Sequence, residues 1–174
     1  MDLNSLRYPI GKFEFSGASE IDIKRWINDV ELLPQQMEDL ISHLSKEQEE
    51  LTYRSDGWTI RQVVHHVADS HMNAIIRFKL ALTSENPTIL PYKEAAWARL
   101  SDVKEIPLSC SISILKGLHA RWTSINKSMQ ASDFERTFFH PEHDKVYRLD
   151  HALGMYSWHG RHHLEHIKIA LKET

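Results

Sequence analysis

Histidine is the residue type whose number and spacing most strongly suggest chemistry in this sequence. The 174 residues include 12 histidines, and no run of them is typical of an affinity tag. One short stretch carries His65, His66 and His71. The second stretch contains His151, His159, His162, His163 and His166. Imidazole nitrogens are common ligands of divalent metal ions, so these two stretches are the first candidates for a site.

Helical periodicity predicts that two of these histidines share the inner face of a C-terminal helix. The buried stripe of that helix is defined by Leu153, Tyr156, Gly160, Leu164, Ile167 and Leu171. At about 100° per residue, His163 falls roughly 40° from the stripe and His159 roughly 80°, whereas His162 points roughly 140° away, toward solvent. His159 and His163 are four positions apart, so they lie one turn apart and can bind one metal ion.

Spacing alone is weak support for this pair. About one pair of histidines four positions apart is expected by chance in such a sequence, and His162 with His166 makes another. The inward placement of His159 and His163 is what favours them. A metalloprotease helix of the zincin type would carry a glutamate after the first histidine, but Gly160 stands there, so that class of enzyme is excluded.

The third candidate ligand comes from the other histidine stretch. His65 and His66 lie on opposite shoulders of the apolar stripe of their helix. His66 shares its side with small residues such as Ser70, which leave room for a site, and His65 shares its side with Arg61, which favours water. We therefore predict a site formed by His66, His159 and His163. A lone inward histidine is usually a hydrogen-bonded core residue, but a shared metal would satisfy three buried imidazoles at once.

Apolar residues at helical spacing predict four long helices that can position this site. Thr59 and Gln62 have the spacing of a capping box at the start of the second helix. Pro34 lies inside the first, where we expect a kink or a break. The predicted helices cover residues 19–44, 59–82, 111–129 and 150–171. Four amphipathic helices with little strand predict an all-α fold, a four-helix bundle.

The segments between these helices are unequal in length. Residues 83–107 form a long connection between the second and third helices, with a short helix predicted within 93–100. Residues 136–140 and 145–149 have the composition of two short strands, so we predict a small hairpin before the fourth helix. The length suits one domain over residues 1–174.

Composition limits the classes of partner. The formal net charge is −3, so no strong field would recruit nucleic acid or an anionic membrane. No apolar run approaches the ~20 residues that span a bilayer, and the start of the chain lacks the pattern of a signal peptide. The single cysteine, Cys110, excludes an intrachain disulfide. These features predict a cytoplasmic protein that binds neither nucleic acid nor membrane.

Residues 58–73 resemble the signature segment of the DinB/YfiT-like superfamily and are closest to its YfiT group of metal-dependent hydrolases. Similar segments follow in order along nearly the whole chain, at residues 8–11, 76–80, 118–122 and 156–163. In that family the metal-binding histidine of the second helix lies eight residues after the tryptophan, which is His66 here. The other two family ligands match His159 and His163. The resemblance also implies an unusual helix order, zinc or nickel at the site, and a cytoplasmic homodimer.

Three neutral imidazoles would leave the full +2 charge on one divalent metal ion, with a coordination position open. Such an ion can lower the pKa of a bound water to about 7, which predicts a hydrolase acting on an ester, an amide or a related bond of a small molecule. It can equally deprotonate a thiol, which suits a thiol S-transferase. The resemblance to the DinB/YfiT-like superfamily implies bacillithiol or a similar low-molecular-weight thiol as the co-substrate. The third hypothesis is a non-catalytic, dimeric metal-binding module.

Other side chains have weaker claims, and no general acid or base is assigned. Asp69 could orient an imidazole, although an exposed helix position is the simpler interpretation. His119 is a rival ligand or a hydrogen-bonded core histidine. Cys110 suits the start of a helix better than the role of a nucleophile. Three residues could contact a substrate or serve only in packing and on the surface: Tyr53, Arg77 and Arg121.

Overall fold

The computed structural model describes residues 2–172. In chain order its elements are α1 (Leu3–Arg7), α2 (Glu20–Ile41), α3 (Lys46–Glu49), α4 (Ile60–Thr83), α5 (Glu94–Trp97), α6 (Ser101–Glu105), α7 (Leu108–Ser128), α8 (Ala131–Phe134), β1 (Thr137–His140), β2 (Lys145–Arg148) and α9 (Leu149–Lys172). The four long helices are α2, α4, α7 and α9. Within the described residues, no helix is long and apolar enough to cross a membrane.

The four long helices form a bundle in which α4 and α7 are the one successive pair of long helices that pack against each other. Helix α2 packs against α7 and α9, and α4 packs against the same two helices. Helices α2 and α4 therefore lie diagonally opposite each other, as do α7 and α9. The predicted four-helix bundle is confirmed, with β1 and β2 as a small antiparallel hairpin beside it.

The helix starts follow from their capping residues. Ser19 and Thr59 both form capping boxes, at the starts of α2 and α4, which satisfy backbone N–H groups that have no partner inside the helix. Of the kink or break expected at Pro34, the break is wrong, because α2 continues through that residue to Ile41. Proline removes a single backbone hydrogen bond, and the buried face of α2 on both sides of Pro34 holds the helix together.

The long connection contains more structure than the sequence indicated. Helix α5 confirms the predicted short helix, but α6 was not predicted. Helix α7 begins at Leu108, three residues earlier than expected, because Pro107 precedes it as N-cap. The hairpin is confirmed, with Thr137 paired to Arg148 and His140 paired to Lys145.

Two apolar clusters fill the bundle, one toward each end. On α7 the first cluster reaches Leu115 and the second begins at Trp122, with His119 between them. On α9 the corresponding boundary lies between Tyr156 and Leu164. A layer of histidines therefore crosses the middle of the core, and this layer contains the candidate site.

Candidate metal centre

The structure brings together the three histidines that the sequence singled out. The ligand-capable atoms of His66, His159 and His163 all lie within 4.8 Å of one another. His66 and His163 are buried and His159 is half-buried. His66 comes from α4 and the other two come from α9, where a separation of four residues places both rings on one face. Trp58 packs edge-on against the ring of His66, with centroids 4.7 Å apart.

The spacing of the nitrogens suits a shared divalent ion. The Nε2 atoms of His66 and His159 are 3.2 Å apart. Two nitrogens bound at 2.0–2.1 Å to one tetrahedral zinc ion would lie about 3.4 Å apart. The donor set therefore fits such an ion with little movement of these two side chains.

A chain of hydrogen bonds behind His159 determines which of its nitrogens carries the proton. The Nδ1 atom of His119 contacts the backbone carbonyl of Val30, and a carbonyl can only accept, so His119 donates from Nδ1. His119 Nε2 then accepts from His71 Nδ1 at 2.9 Å, and His71 Nε2 accepts from His159 Nδ1 at 3.2 Å. In this arrangement all three rings are neutral, and His159 is left with an unprotonated Nε2 that faces His66.

Pro34 explains why the carbonyl of Val30 is available. In a regular helix the N–H of residue 34 would donate to the carbonyl of Val30, four residues earlier. Proline has no N–H, so this carbonyl lacks its helical partner. His119 supplies the missing hydrogen bond. The proline that the sequence suggested as a helix breaker thus provides the fixed end of the chain that orients His159.

A second and shorter chain orients His163 by the same logic. His166 Nε2 lies 3.3 Å from the carbonyl oxygen of Arg7, so it donates there. The Nδ1 of His166 is then free to accept from His163 Nδ1 at 3.4 Å. His163 is left with an unprotonated Nε2. Tyr53 stacks on the His166 ring, with centroids 3.7 Å apart and planes within 13°, and holds that ring in place.

Burial keeps these imidazoles neutral. It lowers the pKa of His66 to about 4, and the pKa of His119 to about 4 despite the hydrogen bond to Val30. Burial, followed by the neighbouring histidines, also holds the pKa values of His159 and His163 well below 6.5. A neutral imidazole has a lone pair to offer and a protonated one does not, so the site is ready to accept a cation at neutral pH.

The three histidines open onto a cavity of about 840 Å³. Part of its wall is aromatic or apolar and is formed by Tyr53, Trp58, Tyr92 and Met155. Burial is the main reason that the pKa of Tyr92 rises to about 12, so this wall presents a neutral phenol. Three arginines and three acids also line the cavity: Arg7, Arg54, Arg77, Asp56, Glu94 and Glu142. The volume suits a small molecule.

Two expectations about neighbouring histidines were wrong. His162 was expected to face solvent, but it is only 7% exposed and stacks on Trp158, with ring centroids 4.4 Å apart. The N-terminal segment covers this outer face of α9, where Tyr8 lies beside the His162 ring. His65 was expected on the solvent-exposed side of its helix, but it is buried against α7, with Nδ1 2.8 Å from the hydroxyl of Ser111.

The other residues considered from the sequence lie in the core, at the cavity wall or on the surface elsewhere. His119 is a buried, hydrogen-bonded core residue that lies outside the converging group, as one of its two interpretations predicted. Asp69 is half-buried rather than exposed, and burial, followed by the charge of Asp102, raises its pKa to about 6. Tyr53 and Arg77 line the cavity. Arg121 and Cys110 are exposed elsewhere, Cys110 in the first turn of α7.

His71 orients His159 and His166 orients His163, and neither role was predicted from the sequence. A signal for His71 was present. His71 is four residues after Val67 and three before Ala74, so it lies on the apolar stripe of α4, where a polar side chain needs a partner. The partner itself comes from α7 and could not be identified from the periodicity of α4.

Comparison with known proteins places this site in a family. The family model described as the DinB superfamily matches residues 30–167. The chain belongs to the DinB superfamily. A relative from Oceanobacillus iheyensis is 49% identical over 92% of this chain and 93% of its own length, and one from Bacillus cereus is 50% identical over 95% of each. Both bear the name "putative metal-dependent hydrolase".

Solved structures agree with the fold. YfiT from Bacillus subtilis is 41% identical, with a TM-score of 0.94 over 97% of both chains. It is described as "a probable metal-dependent hydrolase with an unusual four-helix bundle topology". The mycothiol-dependent maleylpyruvate isomerase matches 83% of this chain and 60% of its own, with a TM-score of 0.65 and 13% identity. At that identity the likeness concerns the fold alone.

Proposed function

We propose that this member of the DinB superfamily is a metal-dependent hydrolase of a small molecule. His66, His159 and His163 would hold one divalent ion, zinc or nickel. With three protein ligands, the ion would keep a position open and would lower the pKa of a water molecule bound there. The names of the relatives from Oceanobacillus and Bacillus support this class of reaction.

The main support for the proposal is the pattern of protonated and unprotonated ring nitrogens around the site. Two hydrogen-bond chains end on the carbonyls of Val30 and Arg7, and they leave unprotonated Nε2 atoms on His159 and His163. Histidine ligands of metals usually donate their second N–H to a fixed acceptor, which orients the ring and raises its basicity. An ordinary buried histidine would satisfy both ring nitrogens with hydrogen bonds, and would not need to present an unprotonated nitrogen to two other imidazoles.

The rest of the cavity would bind and orient the substrate. Arg77 donates to the hydroxyl of Tyr156 at 3.0 Å, which holds its guanidinium at the cavity wall. Tyr53, Trp58 and Met155 offer apolar surface, which would exclude water around a bound molecule. Burial raises the pKa of Tyr156, so its hydroxyl stays protonated.

The same ligand set would also suit thiol chemistry, because a divalent ion deprotonates a thiol that binds to it. The S-transferase hypothesis, with bacillithiol or a similar thiol as co-substrate, is therefore tested alongside hydrolysis. Metal-loaded protein would be incubated with a panel of esters, amides and electrophiles, with and without low-molecular-weight thiols. Turnover without thiol supports the hydrolase. Turnover that requires thiol replaces it with the transferase, and no turnover with fully bound metal leaves the non-catalytic module.

Metal content tests the ligands separately from the reaction. Metal bound per chain would be measured for the wild type, His66→Ala, His159→Ala and His163→Ala, with His43→Ala as an exposed histidine control. We expect about one tightly bound ion in the wild type and control, and loss of that ion in each of the other three variants. Tightly bound metal retained by any of the three removes that residue from the proposed site. The homodimer implied by the family resemblance stays a prediction for the same samples, measured by sedimentation.

A further inference from the structure

The hairpin turn carries a second group of ligand-type side chains that the proposed function does not use. His140 ends β1, and Glu142 and His143 follow in the turn before β2. The ligand-capable atoms of these three residues lie within 4.8 Å of one another. Two histidines and one glutamate form a donor set that zinc uses in catalytic sites.

The backbone of this turn is well anchored. His140 pairs with Lys145 at the end of the hairpin, so only four residues join the strands. The backbone of Phe139 forms two hydrogen bonds with the segment after α4. Its N–H donates to the carbonyl of Pro87 at 2.9 Å, and its carbonyl accepts from the N–H of Ile89 at 3.0 Å. These contacts hold β1 in place. A site built on His140 would therefore have one rigid ligand and two adjustable ones.

The Nδ1 atom of His140 has no hydrogen-bond partner among the described residues. His140 is 6% exposed, and this nitrogen is buried. An unsatisfied buried nitrogen is unfavourable, so a bound cation would supply the partner that it lacks. The ring of His143 stacks on His140 with centroids 3.9 Å apart and planes within 6°. The lone pairs of stacked imidazoles run parallel, so the exposed His143 would turn out of the stack, away from its 2.9 Å contact with the Tyr147 hydroxyl, to share an ion with His140.

We propose that the hairpin turn is a second divalent-cation site, formed by His140, Glu142 and His143 and weaker than the three-histidine site. It would take a zinc-like ion, because the donors are two imidazoles and one carboxylate. All three residues line the same cavity as His66, His159 and His163. A cation held there would add positive charge to the cavity wall and would bind a carboxylate or phosphate of the substrate. The lower affinity follows from exposure, since Glu142 and His143 must be ordered when the ion binds.

Cobalt(II) titration of metal-free protein tests the proposal, with stoichiometry read by equilibrium dialysis and visible absorbance. The wild type should bind two ions with distinct affinities. His143→Ala and Glu142→Gln should lose the weaker ion and keep the tighter one. Both residues are exposed, so these variants should keep the wild-type circular dichroism and unfolding temperature. His43→Ala, another exposed histidine, is the matched control and should bind two ions.

The His163→Ala background separates this proposal from the three-histidine site. His163→Ala should keep only the weaker ion, and the double variant with His143→Ala should bind none. A wild type that binds only the tighter ion, or a weaker ion that survives both His143→Ala and Glu142→Gln, would overturn the hairpin site. If the wild type binds only the weaker ion, and His143→Ala abolishes it, the three-histidine site is wrong and the hairpin site stands.

Discussion

Replacing His119 by leucine should weaken metal binding at the three-histidine site, although His71 separates His119 from that site. In the native chain, His119 Nε2 accepts a hydrogen bond from His71 Nδ1 at 2.9 Å. Leucine offers no acceptor. His71 can then keep a buried, unsatisfied N–H, or it can move its proton to Nε2 and donate toward His159. The second outcome pushes the proton of His159 onto Nε2, the nitrogen that would bind the ion.

The size of the effect follows from the buried hydrogen bond. Metal binding requires an unprotonated Nε2 on His159, so it would force His71 back to the unsatisfied state at a cost of about 1–3 kcal/mol. That cost corresponds to roughly 5–150-fold weaker binding. The range agrees with the 10–100-fold loss usual when a residue that orients a metal ligand is removed.

Zinc affinity of metal-free protein would be measured by competition with a chelating dye. Nitrogen-15 NMR of the histidine rings in metal-free protein would report the tautomer of His159 directly. His65→Leu is the matched control, because His65 is also buried and hydrogen-bonded, to Ser111, but lies outside both chains. If His119→Leu binds zinc as tightly as the control, or if His159 keeps its proton on Nδ1 in this variant, the hydrogen-bond chain does not set the tautomer of His159.

Pro34→Ala perturbs the same chain from its other end. Alanine restores an N–H that competes with His119 for the carbonyl of Val30. Proline in a helix interior costs roughly 3 kcal/mol relative to alanine, so the metal-free variant should be at least as stable as the wild type. Its zinc affinity should nevertheless fall. If Pro34 acted only on the fold, Pro34→Ala would change the stability of the metal-free protein and its zinc affinity in the same direction.

Three further outcomes concern stability. Burial lowers the pKa of His66 and His119 from 6.5 to about 4, so their neutral forms stabilise the fold above pH 6.5 and this contribution is lost as the pH falls toward 4. In the middle of that window, these two groups should lower the free energy of urea unfolding of metal-free protein by roughly 2–3 kcal/mol per pH unit, and a flat profile between pH 7 and 5 would contradict the assignment. Gly117→Ala, whose Cβ would meet nothing among the described residues within 4 Å, should stabilise by about 1 kcal/mol in thermal unfolding. Gly160→Ala should be about 1–3 kcal/mol less stable than Gly117→Ala, because its Cβ would lie 2.7 Å from a side-chain carbon of Leu33. Arg61→Met should cost about 3–5 kcal/mol in urea unfolding, since it leaves the buried Glu49 with only its longer contact to the exposed Lys46, and wild-type stability would show that the Arg61–Glu49 pair is dispensable.

Local patterns were enough to predict the four long helices, the hairpin and the converging histidines. The periodicity of α9 placed His159 and His163 on one inner face, and the capping box at Thr59 marked the start of α4. These signals work because they depend on residues three or four positions apart, whose geometry a helix determines by itself. The choice of His66 over His65 was supported by the resemblance to the superfamily as well as by the wheel.

Tertiary structure decided everything that depends on a partner from elsewhere in the chain. A helical wheel could not show that the N-terminal segment covers His162, or that His65 meets Ser111 of α7. The carbonyl freed by Pro34 lies 89 positions from His119, which bonds to it. Periodicity indicates which face of a helix is buried, but only the packed bundle determines what that face meets, and so where each imidazole carries its proton.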